Sequence, residues 1–160
     1  MALSQVQLGK EFETLIPTID VEVAKTRFAE AYGKYFKDAV AGVVDVVDGA
    51  VDSIAVPALK GALVFAAGST TTTLSTDISL AILDFWLSIA TTPTVFFPGA
   101  SALVLPPTLL ALSGPLKTKF DLNLSSEASL IDAASNIASV IHPASAGGTV
   151  VIATVVTTIL

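Results

Sequence analysis

Cysteine is absent from this chain, and histidine, methionine and tryptophan each occur once. Without thiols there are no disulfides and no thiolate metal sites. A lone histidine, His142, lacks the partners that a catalytic or metal-binding imidazole needs. Charge is scarce too, at 14% of residues, where an average soluble domain has about 25%. Positive charge is scarcer still, with 8 Lys and Arg against 14 Asp and Glu and a net charge of −6. Lys117 and Lys119 are the only cations after Lys60. The basic patch of a nucleic-acid binder is missing, so direct nucleic-acid contact is not expected.

What fills the 160 residues is apolar: 52% are hydrophobic, with a mean hydropathy of +0.77. The length suits one domain, or one domain with an arm. Two environments account for so few charges. One is lipid; the other is permanent protein neighbours, because obligate interfaces resemble a core cut in half. A membrane span needs about 20 apolar residues in a row. The uncharged run from Phe85 to Leu116 is long enough, but Pro93, Pro98, Pro106, Pro107 and Pro115 break it. Lipid cannot satisfy the backbone groups such breaks release. The second uncharged run, Ala133 to Leu160, is cut by His142-Pro143 and Gly147-Gly148. A membrane role is therefore disfavoured. The opening MALSQVQLGKEFETL has no basic region followed by an apolar core, so it does not read as a secretory signal.

Charge is loaded at the front: residues 1–60 hold 15 of the 22 charged side chains. This asymmetry predicts a solvated helical part, then a packed or partner-covered part. Residues 4–15 read as a helix with Val6, Phe12, Leu15 and Ile16 as apolar positions, ended by Pro17. Asp20 is suited to cap a second helix carrying Ala24, Phe28, Ala31, Tyr35, Ala39 and Val43 at helical spacing. That pattern extends to Ile54, with a break expected near Gly42 or Gly49. Helix-compatible sequence resumes after Pro57 and stops by Gly68. GSTTTTLSTD reads as a polar loop, with Ser75 or Thr76 capping the next helix. DISLAILDFWLSIATT is apolar nearly all round, which marks a buried central helix anchored by Phe85 and Trp86.

The region 93–115 reads as an extended Pro/Gly-rich apolar arm. LKTKFDLNL alternates, with Leu116, Thr118, Phe120, Leu122 and Leu124 on one side, and predicts a strand. Ser125 or Ser126 would cap a helix striped by Leu130, Ile131, Ala134, Ile137, Ala138 and Ile141, stopped by Pro143 and Gly147-Gly148. TVVIATVVTTI predicts a closing strand, so 116–160 becomes strand–helix–strand, with a parallel crossover as one arrangement. The expected fold is thus mixed α+β. It has a helical region over 1–92, the arm over 93–115 and the strand–helix–strand unit over 116–160, all in one compact domain.

The candidate chemistry is thin. His142 stands at a helix end with Ser139 and Ser145 nearby in sequence, yet no acidic residue is close and no nucleophile elbow is present. A helix-terminal histidine favoured by the helix dipole is the simpler reading. Asp45, Asp48 and Asp52 would share one helix face, but they lack the oxygen-rich loop of a calcium hand; a solvated acidic stripe is the expectation. No phosphate-binding glycine motif occurs. Phe85 with Trp86, and Phe96 with Phe97, read as core anchors rather than a ligand pocket. No catalytic, cofactor or metal residue is assigned, and no enzymatic activity is expected.

A long, apolar, charge-free terminal strand at a sheet edge invites pairing with another chain. An apolar proline-rich arm also wants cover. The C-terminal part, FFPGASALVLPPTLLALSGPL followed by SLIDAASNIASVIHPASAGGTVVIATV, resembles small structural proteins of tailed-phage virions. In those, a proline-rich stretch and short strand precede an Ala-rich helix, an apolar-His element and a Thr/Val strand. FAEAYGKYFKDAV and AILDFW fit the same likeness. It implies a virion or tail-like particle component assembled in the host cytoplasm, partnered by its own copies and other structural proteins, and it transfers no site residues. The expected function is a non-enzymatic structural subunit, with 93–115 and 149–160 making inter-subunit contacts. The rival expectations are a membrane-associated or pore-forming protein, and a small-molecule binding module built around Trp86.

Overall fold

The computed structural model describes residues 2–15 and 20–160. The expected roles of Ile16 and Pro17 at the end of the first helix lie outside these residues. Helix α1 (Gln5–Glu13) begins at Ser4, whose hydroxyl accepts the Gln7 amide. Helix α2 (Val21–Phe36) begins at Asp20, whose carboxylate accepts the Val23 amide at 3.1 Å. Both starts follow from side-chain capping of otherwise unpaired N–H groups.

Helix α2 stops at Phe36, well short of Ile54. The chain turns instead through a small hairpin, β1 (Val40–Ala41) and β2 (Val44–Asp45), around Gly42-Val43. Gly42 has φ +66°, and a Cβ there would lie 2.9 Å from the Thr157 methyl. A two-residue hairpin loop calls for positive φ at this position, so the predicted break falls at Gly42. Gly49 breaks nothing: α3 (Asp48–Ala50), a π turn (Val51–Ala55) and α4 (Val56–Ala62) follow one another directly.

Helix α5 (Thr71–Thr91) starts earlier than expected. Its cap is Thr70, whose hydroxyl oxygen accepts the Thr73 amide at 3.2 Å. The four threonines are therefore the cap and first turn of a helix rather than a loop, and Ser75 and Thr76 lie inside it. As predicted, α5 is the central helix and buries Ile78, Ala81, Ile82, Phe85, Trp86 and Ile89. By length and composition it could cross a membrane, but these side chains lie within the protein core.

Two C-terminal expectations are overturned. Residues 93–115 are not an extended arm. They form a helical turn α6 (Pro93–Phe96), strand β3 (Ala100–Val104), a 3-10 turn (Leu109–Ala111) and the start of α7. Phe96, Phe97, Ala100, Leu109 and Leu112 are buried there. The predicted strand at 116–124 is helix α7 (Ser113–Ser125). Leu116 and Phe120, one turn apart, pack on the core. Lys117 and Asp121 pair across one turn, a spacing that supports a helix. Thr71 donates to Asp121 at 2.6 Å, tying α7 to the start of α5. Leu122 and Leu124, which completed the alternation, are left exposed. Pro115 falls in the first turn of α7, where a missing N–H is harmless.

Helix α8 (Leu130–Ser145) is capped by Ser129, not Ser125 or Ser126, and Pro143 sits inside its last turn rather than stopping it. Ala134, Ala138 and Ile141 of the predicted stripe are buried, whereas Leu130 and Ile131 are exposed. The closing run is not one strand but a hairpin, β4 (Thr149–Ile152) and β5 (Val155–Thr158). The sheet order is β3-β4-β5, antiparallel throughout. The unit predicted as strand–helix–strand is helix–helix–hairpin, with no parallel crossover. Ile159 bridges to Ala41, and Val40 and Leu160 exchange both backbone hydrogen bonds, at 3.1 and 3.0 Å. The tail thus pairs within its own chain. The fold class is α+β, as the sequence predicts.

Candidate functional site

The chain's two tyrosines stand three residues apart on α2 and face the core. The Trp86 indole of α5 donates to the Tyr32 hydroxyl at 3.1 Å. That hydroxyl lies 2.7 Å from Ser145 Oγ, at the end of α8. Either hydroxyl can donate in this bond, so the Tyr32 oxygen is satisfied by both the indole and Ser145. Beside this chain, the Tyr35 hydroxyl and His142 Nδ1 share a hydrogen bond of 2.8 Å. Aromatic rings pack edge-on around the network: Phe36 meets both Phe85 and Trp86 with centroids 5.1 Å apart. Burial pushes the Tyr32 hydroxyl up to about 12. Burial, then the neighbouring Tyr32, raises Tyr35 further above its ordinary value. Both phenols remain neutral at any physiological pH.

Sequence reasoning singled out His142, Ser145 and Trp86, and the structure brings all three to one network. It missed Tyr32 and Tyr35, whose spacing on an apolar helix face looks like any core stripe. The chemistry is that of a polar cross-link among α2, α5 and α8. Ser145 is fully buried, so a substrate cannot reach it, and the His142 partner is a phenol rather than a carboxylate. Ser139 points elsewhere, donating to the Asn136 carbonyl. A buried network with every member bonded rigidifies a core.

Burial lowers the His142 pKa below its ordinary 6.5. The unfolded chain therefore binds the proton first as pH falls, and folding stability falls with it. This contribution is complete above pH 6.5 and erodes as the pH drops through that value toward the lower folded one. Urea unfolding of the native chain and of His142→Gln at pH 7, 6 and 5 should show the native chain losing more stability than the variant. Parallel losses would exclude His142 as the titrating group.

The other sequence candidates separate. Asp45 lies on β2, Asp48 opens α3 and Asp52 lies in the π turn, so they do not share one helix face. Asp52 pairs with Lys37 at 2.7 Å. Among the described residues no group of acidic or imidazole side chains could hold a metal ion.

The remaining candidate is a surface. Strands β3, β4 and β5 contain no charged side chain. Neighbouring residues on a strand point to opposite faces, yet Val155 and Val156 are 62% and 66% exposed. The hairpin end is bare on both sides. Next to it, Gly42 abuts Thr157, and Val43 is 97% exposed. On the other flank β3 pairs only with β4, and Val104 is 59% exposed. A bulge between Ala100 and Ala102 bends this edge, a partial guard against pairing, but no lysine blocks it. Comparison with protein-family models, curated proteins and solved structures returned no match to this chain.

Proposed function

We propose that this protein is a non-enzymatic structural subunit that acts by joining copies of itself, and other structural proteins, into a large particle. The observation that carries the reading is the charge-free three-stranded sheet, with its hairpin exposed on both faces. Soluble sheets often blunt such edges with lysine or proline, and neither lies on these strands. Here Val155 and Val156 are presented by a paired strand and Val43 by the tight turn of the β1–β2 hairpin, so this is a formed surface and not a frayed end. A virion or tail-like particle is the setting that the phage-protein resemblance favours.

The interface implied by the fold uses the same two segments that the sequence suggests, 93–115 and 149–160, but in a different form. Within 149–160, β4 is the middle strand and takes no further partner, whereas β5 pairs with β4 alone and only Ile159 and Leu160 beyond it pair with β1. Deleting 149–160 would remove buried Val150 and Ile159 and unfold the monomer. The contacts then fall on the outer edge of β3, within 93–115, and on the projecting β4–β5 hairpin, within 149–160. Light scattering on the native chain, with and without mild detergent, tests the reading. The expected mass is several times the 16.4 kDa of one chain, unchanged by detergent. A monomer in both conditions, across the micromolar range, would refute it.

A further inference from the structure

Phenylalanines from four separate elements, Phe12 of α1, Phe28 of α2, Phe65 of the α4–α5 loop and Phe120 of α7, line one cavity with Ile78 and Ile137. Its volume is about 230 Å³. Phe12 and Phe28 stack with centroids 5.3 Å apart. Phe65 meets Phe28 edge-on at 6.1 Å. Phe65 holds this position with φ +42°, a left-handed conformation that costs a bulky residue energy. Such strained residues concentrate at ligand clamps and switch regions.

The floor is α8, where Ala133 and Ala134 face the space. Small residues there leave the cavity open, although a tightly filled core would be more stable. The lining is made wholly of Phe, Leu, Ile and Ala side chains. A charged or hydrogen-bonding group placed inside would lose its water and gain nothing. The space is half open to solvent, with Leu130 at its rim 47% exposed, and water there finds no polar partner, so an apolar ligand gains by displacing it. The volume is too small for a helix or a folded partner.

From these features we infer that the cavity is a binding site for one small, neutral, apolar ligand, an aromatic ring or a short hydrocarbon chain. Trp86, the ligand anchor that the sequence suggests for a binding module, is sealed in the core elsewhere, so this site is distinct from it. The site is independent of the assembly surface, which lies on the three-stranded sheet.

The test is methyl NMR of the full chain titrated with toluene. Saturable shifts are expected on Leu74, Ile78 and Ile137, which line the cavity, and not on exposed Leu80 or Val43. Benzylammonium, similar in shape but charged, should leave all of them unmoved. Ala134→Leu fills the space from the floor, so toluene should bind roughly tenfold or more weakly, equivalent to losing about 1.4 kcal/mol. The variant should also melt higher than the native chain. If Ala134→Leu does not fold, Ala133→Val provides the same reading from the neighbouring position. Absence of saturable shifts at the lining methyls of the native chain, or equal response to benzylammonium, overturns the inference.

Discussion

Trp86→Ala is expected to destabilise the fold by about 3–5 kcal/mol, the range for removing a large aromatic from a packed core. Trp86 is fully buried on the central helix, edge-on to Phe36. Its loss leaves a void and deprives the Tyr32 hydroxyl of its indole donor. Gly148 shows how close the packing is. A Cβ there would sit 3.0 Å from the indole ring and 3.3 Å from Pro106. The indole therefore seats the start of β4 as well as α2, so the effect should reach the sheet. For a chain of this size each kcal/mol lowers Tm by roughly 2–4 °C, which puts the variant about 6–20 °C below the native protein. Far-UV circular dichroism under heating or urea is the suitable measure, because Trp86 is the only tryptophan and its fluorescence disappears with it. A shift under about 1 kcal/mol would mean that the site collapses around the vacancy, contrary to the packing described.

Val156→Lys and Val104→Lys should each leave the monomer folded, and at least one of them should break the proposed assembly. Both valines are exposed in the single chain, and surface substitutions of that kind change stability by about 0.5 kcal/mol or less. In an interface the same lysine would be buried without a partner, at a cost of about 2–5 kcal/mol, or roughly thirtyfold to several thousandfold in affinity per contact. The two positions report on different surfaces: Val156 on the projecting hairpin, Val104 on the outer edge of β3. Light scattering should show a fall toward the single-chain mass, with helical signal retained, for whichever surface joins copies. If both variants keep the native mass, the sheet is not the interface.

The legibility of the chain depended on what each signal measures. Capping is local, so Asp20 is readable as a helix start, but where several hydroxyls compete the true cap shifts, to Thr70 instead of Ser75 or Thr76 and to Ser129 instead of Ser125 or Ser126. The buried helix around Phe85 and Trp86 was readable because an apolar residue on every side leaves no face for water. The α7 error has a clear origin. Five residues alternated perfectly, but only Leu116 and Phe120, which also suit helical spacing, find cover against the core. The closing hairpin hid for another reason. Its turn is Ala153-Thr154, at φ +48° and +72°. Such turns normally carry Asn or Gly, so nothing in the sequence marked the fold-back. Neither tyrosine advertised its hydroxyl partner, because Tyr32 and Ser145 are 113 residues apart.

By itself the sequence determined the α+β class, the helical first half, the buried central helix and the scarcity of charge over the C-terminal half. All of these follow from composition and short-range periodicity, which act within a few residues. The tertiary structure decided the rest. It turned an apparent strand into a helix, an apparent arm into packed core and edge strand, and a tail that seemed to want another chain into the last strand of its own sheet. It also gathered Tyr32, Tyr35, Trp86, His142 and Ser145 into one network. Each of those outcomes depends on which distant surface is available to cover a residue, and that is settled only when the whole chain is packed.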